Sequence, residues 1–170
     1  MTVTLTTARL TLRQPQARDA AASLAFWTSD RSRFIGGPLD EQAARAEWPE
    51  VMGQWQRHGF GMFVLTVTGE DRPRGLAGPW YPATHPEVEI GWNLWDGAAA
   101  GHGDAREAVQ AARRWFFDTG AAGSAVSHVH PDNLRSQHLA RPVGAVPDPA
   151  AACPYPPPVS IWRHHAGGAA

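Results

Sequence analysis

The segment EVEIGWNLWDGAAAGHGDAREA, residues 87–108, decides the fold because it predicts a strand, a glycine-rich loop and a helix in direct succession. Its first nine residues alternate apolar and polar side chains, with Val88, Ile90 and Trp92 on one face, which is the pattern of a strand. Small residues follow, and a helical pattern begins at about Asp104. A loop of this kind between a strand and a helix is a candidate anion site.

The loop has the physical features of a phosphate site. Gly101 and Gly103 permit backbone angles and a close approach that other residues hinder. The first turn of the following helix has N–H groups without internal partners, and these groups and the helix dipole favour an anion. Asp104 opposes this, because as a cap it would accept from the same N–H groups. The segment is not a Walker loop, since no Gly-Lys-Ser/Thr follows, and it lacks the third glycine of a Rossmann fingerprint.

Composition predicts a single domain over residues 1–165 with a flexible tail at 166–170. The 170 residues are 43% apolar, which is ordinary for a globular protein with a proper core. A net charge of −1 provides no basic field for nucleic acid, and the single cysteine, Cys153, excludes an intrachain disulfide. No apolar run nears the roughly 20 residues of a membrane span, and no signal-peptide pattern begins the sequence. We therefore expect a cytoplasmic protein that binds neither membranes nor nucleic acids.

Hydrophobic periodicity predicts a mixed α/β (α+β) domain with the element order β-α-α-β-β-β-α-β-α-β-β. Asp40 is the predicted N-cap of the second helical pattern. Pro49 lies inside this pattern, which predicts a kink or two short helices there. The predicted helices cover residues 16–30, 41–59, 104–118 and 131–140. The predicted strands cover residues 8–14, 62–69, 76–82, 87–95, 124–130, 143–146 and 159–165.

Three segments in this order, EVEIGWNLW, AAAGHGDAREA and SHVHPDNLRS, closely resemble the core of the GNAT acetyltransferases. The opening ARLTLRQPQARDA resembles the branch of ribosomal-protein N-terminal acetyltransferases, and the likeness extends from about Ala8 to His164. It implies the GNAT fold, a mixed and mostly antiparallel central sheet of six to seven strands flanked by about four helices. In that fold the central strands splay apart after the strand that matches EIGW.

The resemblance implies acetyl-coenzyme A as co-substrate and no metal. In the family the pantetheine arm pairs with the backbone at positions matching Trp92, Asn93 and Leu94. A loop of pattern Gln/Arg-x-x-Gly-x-Gly/Ala cradles the pyrophosphate; the matching residues are Ala98, Ala99, Ala100, Gly101, His102, Gly103, Asp104 and Ala105. Two residues of this loop differ from the family pattern in ways expected to lower the affinity for coenzyme A. Ala98 stands where the family has Gln or Arg, and Asp104 places a carboxylate near two phosphates in place of a frequent Tyr.

The family's catalytic positions map onto Glu89, Asn133 and Ser136. Glu89 is the expected general base, because many relatives have the base at this place on the strand beside the thioester. Asn133 is expected to hold a water or the pantetheine amide, and Ser136 to hydrogen-bond the sulfur or pantetheine; alternatively, they cap a helix and face solvent. The frequent tyrosine acid would fall at Ala140, where no phenol is available.

An acceptor pocket is expected beside the second helix and the central strands, with Trp55 and Trp80 as walls that could suit a cationic amine, although core packing also explains both. Glu87 lies two residues before Glu89 on the same face; it is the backup base and the third residue expected to line this pocket.

The sequence thus predicts acetyl transfer to a primary amine, either a protein N-terminus or a small amine such as an aminoglycoside or polyamine. The alternative is a GNAT-fold binding module with little catalysis. A third class is a metal-dependent hydrolase that uses His128 and His130, with His138 nearby. Dimers are common in the family, so a homodimer is one of the oligomeric states to be expected.

Overall fold

The computed structural model describes residues 2–97 and 101–167. Among these residues it contains four α-helices, α1 (Ala20–Trp27), α2 (Glu41–His58), α3 (Asp104–Asp118) and α4 (Leu134–Ala140). Short 3-10 turns lie at Ala17–Asp19, Asp30–Ile35 and Arg141–Val143. The strands are β1 (Thr4–Thr6), β2 (Leu10–Arg13), β3 (Phe63–Val67), β4 (Gly75–Trp80), β5 (Glu89–Leu94), β6 (Ser124–Val129), β7 (Val146–Pro147) and β8 (Ser160–His165).

The strands form one sheet in the order β1-β2-β3-β4-β5-β6-β8-β7. Every neighbouring pair is antiparallel except β5 and β6, which run parallel, so the expected mixed and mostly antiparallel sheet is confirmed. The sheet has eight strands rather than six to seven. The additional strand is β1, which pairs with β2 at the edge of the sheet after a tight turn closed by the Thr7 N–H and the Leu10 carbonyl. Its short threonine-rich sequence gave no separate strand signal.

The parallel strands β5 and β6 part almost where they meet. Their ladder contains one registered pair, Glu89 opposite Val126. One residue further, the Ser127 hydroxyl donates to the Ile90 carbonyl at 2.6 Å, so a side chain takes the place of a ladder bond. In the part of the chain that the structure describes, no strand is registered with this edge of β5 beyond Glu89, and the expected splay of the central strands is present.

Helix α2 is continuous through Pro49, so the expectation of two short helices is wrong. Its N-terminus is capped as the sequence indicated, because Oδ1 of Asp40 accepts from the Ala43 N–H at 2.8 Å. Its C-terminus ends at Gly59, whose φ of 71° is in the left-handed region that favours glycine. Trp48 and Val51 bury one face of the helix against β3 and β4, and this packing supports the helix across the proline.

Helix α3 packs on the sheet and places the glycine loop at the end of β5. Its buried face consists of small and aromatic side chains at helical spacing, Ala108, Val109, Ala112 and Phe116. They pack against a core formed by strands β2, β3, β4 and β5. No helix among residues 2–97 and 101–167 is long and apolar enough to cross a membrane.

Candidate active site at the strand divergence

Glu89, the first residue of β5, lies at the centre of a buried polar cluster. Its Oε2 atom is 3.0 Å from Nδ1 of His128, 3.1 Å from Nε2 of His85 and 3.3 Å from the Tyr155 hydroxyl. The His85 and Tyr155 side chains also meet, with 2.9 Å between Nε2 and the hydroxyl. These partners come from the β4–β5 segment, from β6 and from the β7–β8 segment. The fold therefore brings four polar side chains together where β5 and β6 diverge.

Two opposing effects set the charge of Glu89. Burial would raise the pKa of its carboxyl group, but hydrogen bonds from His128 and His85 lower it further than burial raises it, so the net pKa lies below the ordinary value. Glu89 is therefore ionised at neutral pH. Burial and the nearby Glu89 charge raise the pKa of Tyr155, which keeps its proton. An ionised carboxylate only accepts hydrogen bonds, so the imidazole nitrogens facing it carry hydrogens.

A metal ion is the other ligand that such a donor set could hold. One donor atom from each of His85, Glu89 and His128 lies within 4.8 Å of the others. However, Nε2 of His128 is buried and has no partner among the described residues. A metal on Nδ1 would leave the Nε2–H without an acceptor, whereas metal-bound histidines almost always donate that hydrogen to a further group. If Nδ1 of His128 instead donates its hydrogen to Glu89, Nε2 carries a lone pair and no hydrogen, so no buried donor lacks an acceptor. This favours the hydrogen-bonded arrangement over a bound metal ion.

The histidine pair considered for a metal from sequence does not converge. His128 turns to Glu89, while the His130 ring lies against Phe34 with 5.3 Å between ring centroids. Nδ1 of His130 also accepts from the Asp132 N–H at 3.1 Å. His138 is exposed on α4. The structure therefore gives these three residues separate surroundings.

Both glycines in the described part of the loop have positive φ angles. Gly101 and Gly103 have φ values of 91° and 83°, in the left-handed region where other residues are strained. Gly103 occupies the N-cap of α3, and no side chain caps its first turn among the described residues. Asp104 therefore does not act as the cap, and the first N–H groups of α3 stay free of that competition. Three predicted loop residues, Ala98, Ala99 and Ala100, lie outside the described residues.

Arg9 pairs with Asp104, the acidic residue by which this loop differs from the family pattern. Its Nη1 atom is 3.2 Å from Oδ1 of Asp104 and donates to the His102 carbonyl. Its Nε atom donates to Glu107, one turn further along α3, at 2.8 Å. Asp104 begins α3 and is mostly buried against this guanidinium. The carboxylate that would repel a phosphate is thus held in an ion pair.

The predicted pantetheine positions lie on β5 beyond its registered pair with β6, and at the last of them Arg31 donates to the Leu94 carbonyl at 3.1 Å. Trp92, Asn93 and Leu94 pair with β4 on one side. The Trp92 indole N–H donates to the Ser136 hydroxyl at 3.1 Å, which brings Ser136 to this strand. Oδ1 of Asn93 is buried without a partner in residues 2–97 and 101–167. Asn133 caps α4, since its Oδ1 accepts from the Ser136 N–H at 3.2 Å.

The three expected pocket residues have different surroundings. Trp80 is the register partner of Glu89 on β4, so both side chains lie on the same face of the sheet. Trp55 packs edge-on against Phe63 with 5.0 Å between ring centroids and donates to the Met62 carbonyl. The Glu87 carboxylate forms an ion pair with a guanidinium of β8, 3.0 Å from Nη2 of Arg163.

Sequence reasoning missed three residues that contact the site. His85 stands four residues before Glu89 in the segment HPEVE, and that spacing was the only available signal. Tyr155 lies in a proline-rich segment 66 residues away from Glu89, and Arg9 is 98 residues from Glu107. Contacts over such distances depend on the strand order, which periodicity does not give.

Comparison with known proteins places this geometry in a family. Residues 9–146 match the family model described as an acetyltransferase (GNAT) domain. An acetyltransferase from Agrobacterium tumefaciens is 33% identical, with a TM-score of 0.90 over 96% of this chain and 94% of that one. A GNAT-family protein from Bordetella pertussis is 22% identical, with a TM-score of 0.78 over 95% and 98% of the two chains. The RimL ribosomal L7/L12 α-N-protein acetyltransferase, in complex with coenzyme A, is 17% identical, with a TM-score of 0.75 over 96% and 98%.

Proposed function

Because the chain belongs to the GNAT acetyltransferase family, we propose that it transfers the acetyl group of acetyl-coenzyme A to a primary amine, with Glu89 as general base. The observation that carries this proposal is the position and charge of Glu89. Its carboxylate is ionised and lies at the point where the parallel strands part. That point is where the thioester of a pantetheine arm lying along β5 would end.

The reaction needs an acceptor amine without its extra proton. An alkyl amine has a pKa of about 10.4, so a base is needed at neutral pH. Glu89 takes one proton from the ammonium group, and the freed lone pair attacks the thioester carbonyl carbon. The carbon–sulfur bond then breaks, the sulfur leaves with its electron pair, and the second amine proton passes to it. The products are an acetamide and coenzyme A, and Glu89 returns its proton to water.

Coenzyme binding is supported by the loop and by the edge of β5 on the side of β6. The uncapped first turn of α3 offers N–H groups to the pyrophosphate. Beyond Ile90 this edge of β5 pairs with no strand of the described residues, and it offers backbone groups beside Trp92 to the pantetheine amides, as an added strand would use them. The Leu94 carbonyl already accepts from Arg31 at 3.1 Å. The partnerless Oδ1 of Asn93 and the hydroxyl of Ser136 lie at the same strand. The coenzyme A complex of RimL shows that a protein of this fold binds this molecule.

Asn133 has a mainly structural role in this proposal. It caps α4 and so fixes the position of Ser136. Ser136 accepts from Trp92, which leaves its own hydroxyl hydrogen available for the pantetheine arm or the sulfur. Backbone N–H groups near Trp92 and Asn93 would polarise the thioester carbonyl.

The acceptor is proposed to approach on the face of the sheet that Trp80 and Glu89 share. The indole face suits an ammonium group, and the carboxylate completes its recognition. A protein N-terminus and a small polyamine both satisfy this chemistry.

The test is release of coenzyme A thiol from acetyl-coenzyme A with three acceptors, namely a hexapeptide with an N-terminal alanine, spermidine and kanamycin. Turnover with one acceptor, lost in Glu89→Gln, supports the proposal. Binding of acetyl-coenzyme A without turnover of any amine would favour the alternative, a GNAT-fold binding module.

A further inference from the structure

The hydrogen bonds of Glu89 are distributed unevenly between its two oxygens. Three side chains from separate elements converge on Oε2, at 3.0, 3.1 and 3.3 Å. Every side-chain hydrogen bond to Glu89 from the described residues ends on this atom. The Glu89 side chain as a whole is 12% exposed. Oε2 thus has three protein donors, and Oε1 has none among residues 2–97 and 101–167.

We propose that His85 and His128 are positioning residues that hold Oε2 of Glu89 and so present Oε1 to the acceptor amine as the proton-accepting atom. This inference rests on the proposed function and deepens it, because it assigns the two oxygens of the base different tasks. Neither imidazole touches the substrate in this account. Both act through Glu89.

The two imidazoles are themselves fixed in place. The side chains of His85 and His128 are each 3% exposed. The Thr84 hydroxyl lies 3.3 Å from Nδ1 of His85, and the His128 backbone belongs to β6, paired with Ile161 of β8. The His85, His128 and Tyr155 rings meet nearly at right angles, with centroids 5.2 to 5.9 Å apart. A base held this way keeps one rotamer, which is what a short proton transfer needs.

The same contacts control when Glu89 can act as a base. Burial raises the pKa of its carboxyl group, and the bonds from His128 and His85 offset that rise. Loss of one donor leaves the burial in place, so the pKa of Glu89 must rise. Three groups face Glu89 directly, His85, His128 and Tyr155, while Glu47 on α2 and Cys153 act on Tyr155.

The experiment is the pH profile of kcat for paired variants. His128→Leu and His85→Leu remove the donors. His128→Asn keeps an N–H near the position of Nδ1, and His85→Gln keeps one near Nε2. Wild type and Glu89→Gln are measured alongside, with the acceptor that gave turnover. In parallel, the Glu89 carboxyl carbon is titrated by NMR in glutamate-labelled protein, with Glu89→Gln used to assign the signal.

In both leucine variants we expect the acidic limb of the kcat profile to move to higher pH by about one unit, and the NMR titration of Glu89 to move with it. At a fixed pH on that limb, a shift of one unit lowers kcat about tenfold. At high pH kcat should recover, and the KM for acetyl-coenzyme A should stay within about twofold throughout, since binding lies elsewhere. The Asn and Gln variants should keep the wild-type profile. Tyr155→Phe also removes a donor to Glu89, and it should move the acidic limb of kcat in the same direction but by less. Because Tyr155 is at the surface, this variant provides the test if a leucine variant does not fold.

Three outcomes overturn the inference. These are an unmoved limb in the leucine variants, an equal loss of kcat at every pH, and Asn and Gln variants that shift as far as the leucine variants. The proposed function fails separately, if wild type transfers no acetyl group or if Glu89→Gln leaves turnover unchanged. The NMR titration tests the inference even then, because it needs no acceptor.

Discussion

Nδ1 of His128 lies 3.0 Å from Oε2 of Glu89, across the two parallel strands just beyond their single registered pair. The contact joins β5 and β6 by side chains at the place where the backbone ladder ends. The gap and the position of the proposed base, Glu89, therefore both result from the early divergence of these two strands. A ligand that enters the gap along β5 meets the carboxylate at its end.

Replacement of Glu89 by Gln should lower kcat by at least about tenfold and leave acetyl-coenzyme A binding nearly unchanged. Gln keeps the size of the side chain but takes no proton. The measurement is steady-state turnover together with calorimetry, and Glu41→Gln on the exposed start of α2 is the control for loss of a surface carboxylate. Wild-type activity of Glu89→Gln across a pH series would remove Glu89 as the base.

Replacement of Gly101 by Val should abolish coenzyme binding. Gly101 has a φ of 91°, and its Cβ would have no atom of the non-adjacent described residues within 4 Å, so the added side chain would occupy open space at the loop where the phosphates are expected. Gly120→Val is the matched control, because Gly120 also has a positive φ, 72°, and open space, but lies after the end of α3. Both variants carry similar backbone strain, and only Gly101→Val should lose binding. Equal affinity in the two folded variants would contradict the assignment of the loop.

Replacement of Arg9 by Ala should weaken acetyl-coenzyme A binding several-fold at low salt, because Asp104 then faces the phosphates without its partner. The loss should shrink at high salt, since the ion pair is partly exposed. Asp104→Asn in the Arg9→Ala background should restore affinity. Arg45→Ala, which breaks an exposed pair at the start of α2, controls for loss of a surface cation. If the double variant binds as weakly as Arg9→Ala, Arg9 does not act through Asp104.

Stability should fall as the pH is lowered from about 6.5 because of His164. Burial, with smaller contributions from neighbouring cations, lowers the pKa of His164 to about 3. Between these values the unfolded chain binds a proton that the folded chain does not, so unfolding is favoured by about 1.4 kcal/mol per pH unit. His164→Gln keeps a donor for the Ser127 hydroxyl, which lies 2.8 Å from Nε2, and should flatten this slope.

The measurement is denaturant unfolding from pH 7 to pH 4, with His165→Gln as the control for loss of an exposed imidazole. Equal slopes in wild type and His164→Gln would show that His164 is not buried in the neutral form.

The sequence predicted most of the fold because local signals were strong. The alternation in residues 87–95, the Asp40 cap and the helical spacing in α3 each specify their element without tertiary help. At Pro49 the alternative of two short helices was wrong, because packing of Trp48 and Val51 supports one helix through the proline. Edge strand β1 was missed, since three residues pairing on one side have little periodicity.

The site divides in the same way. Glu89 and the glycine loop could be found because a resemblance marks them within a continuous stretch of chain. The partners of Glu89 could not, since His85, His128 and Tyr155 meet only after β6 and β8 have been placed beside β5. The interpretation of His128 as a metal-ligand candidate recognised the residue, but its contact with Glu89 depends on the parallel pairing.

Coenzyme binding is best tested by calorimetric titration of the purified protein with acetyl-coenzyme A, with dephospho-coenzyme A alongside. We expect one acetyl-coenzyme A bound per chain with micromolar affinity, lost in Gly101→Val and kept in Glu89→Gln. No binding heat with a protein shown to be folded would contradict this expectation. In that case this chain would keep the acetyltransferase fold without the donor that the reaction requires.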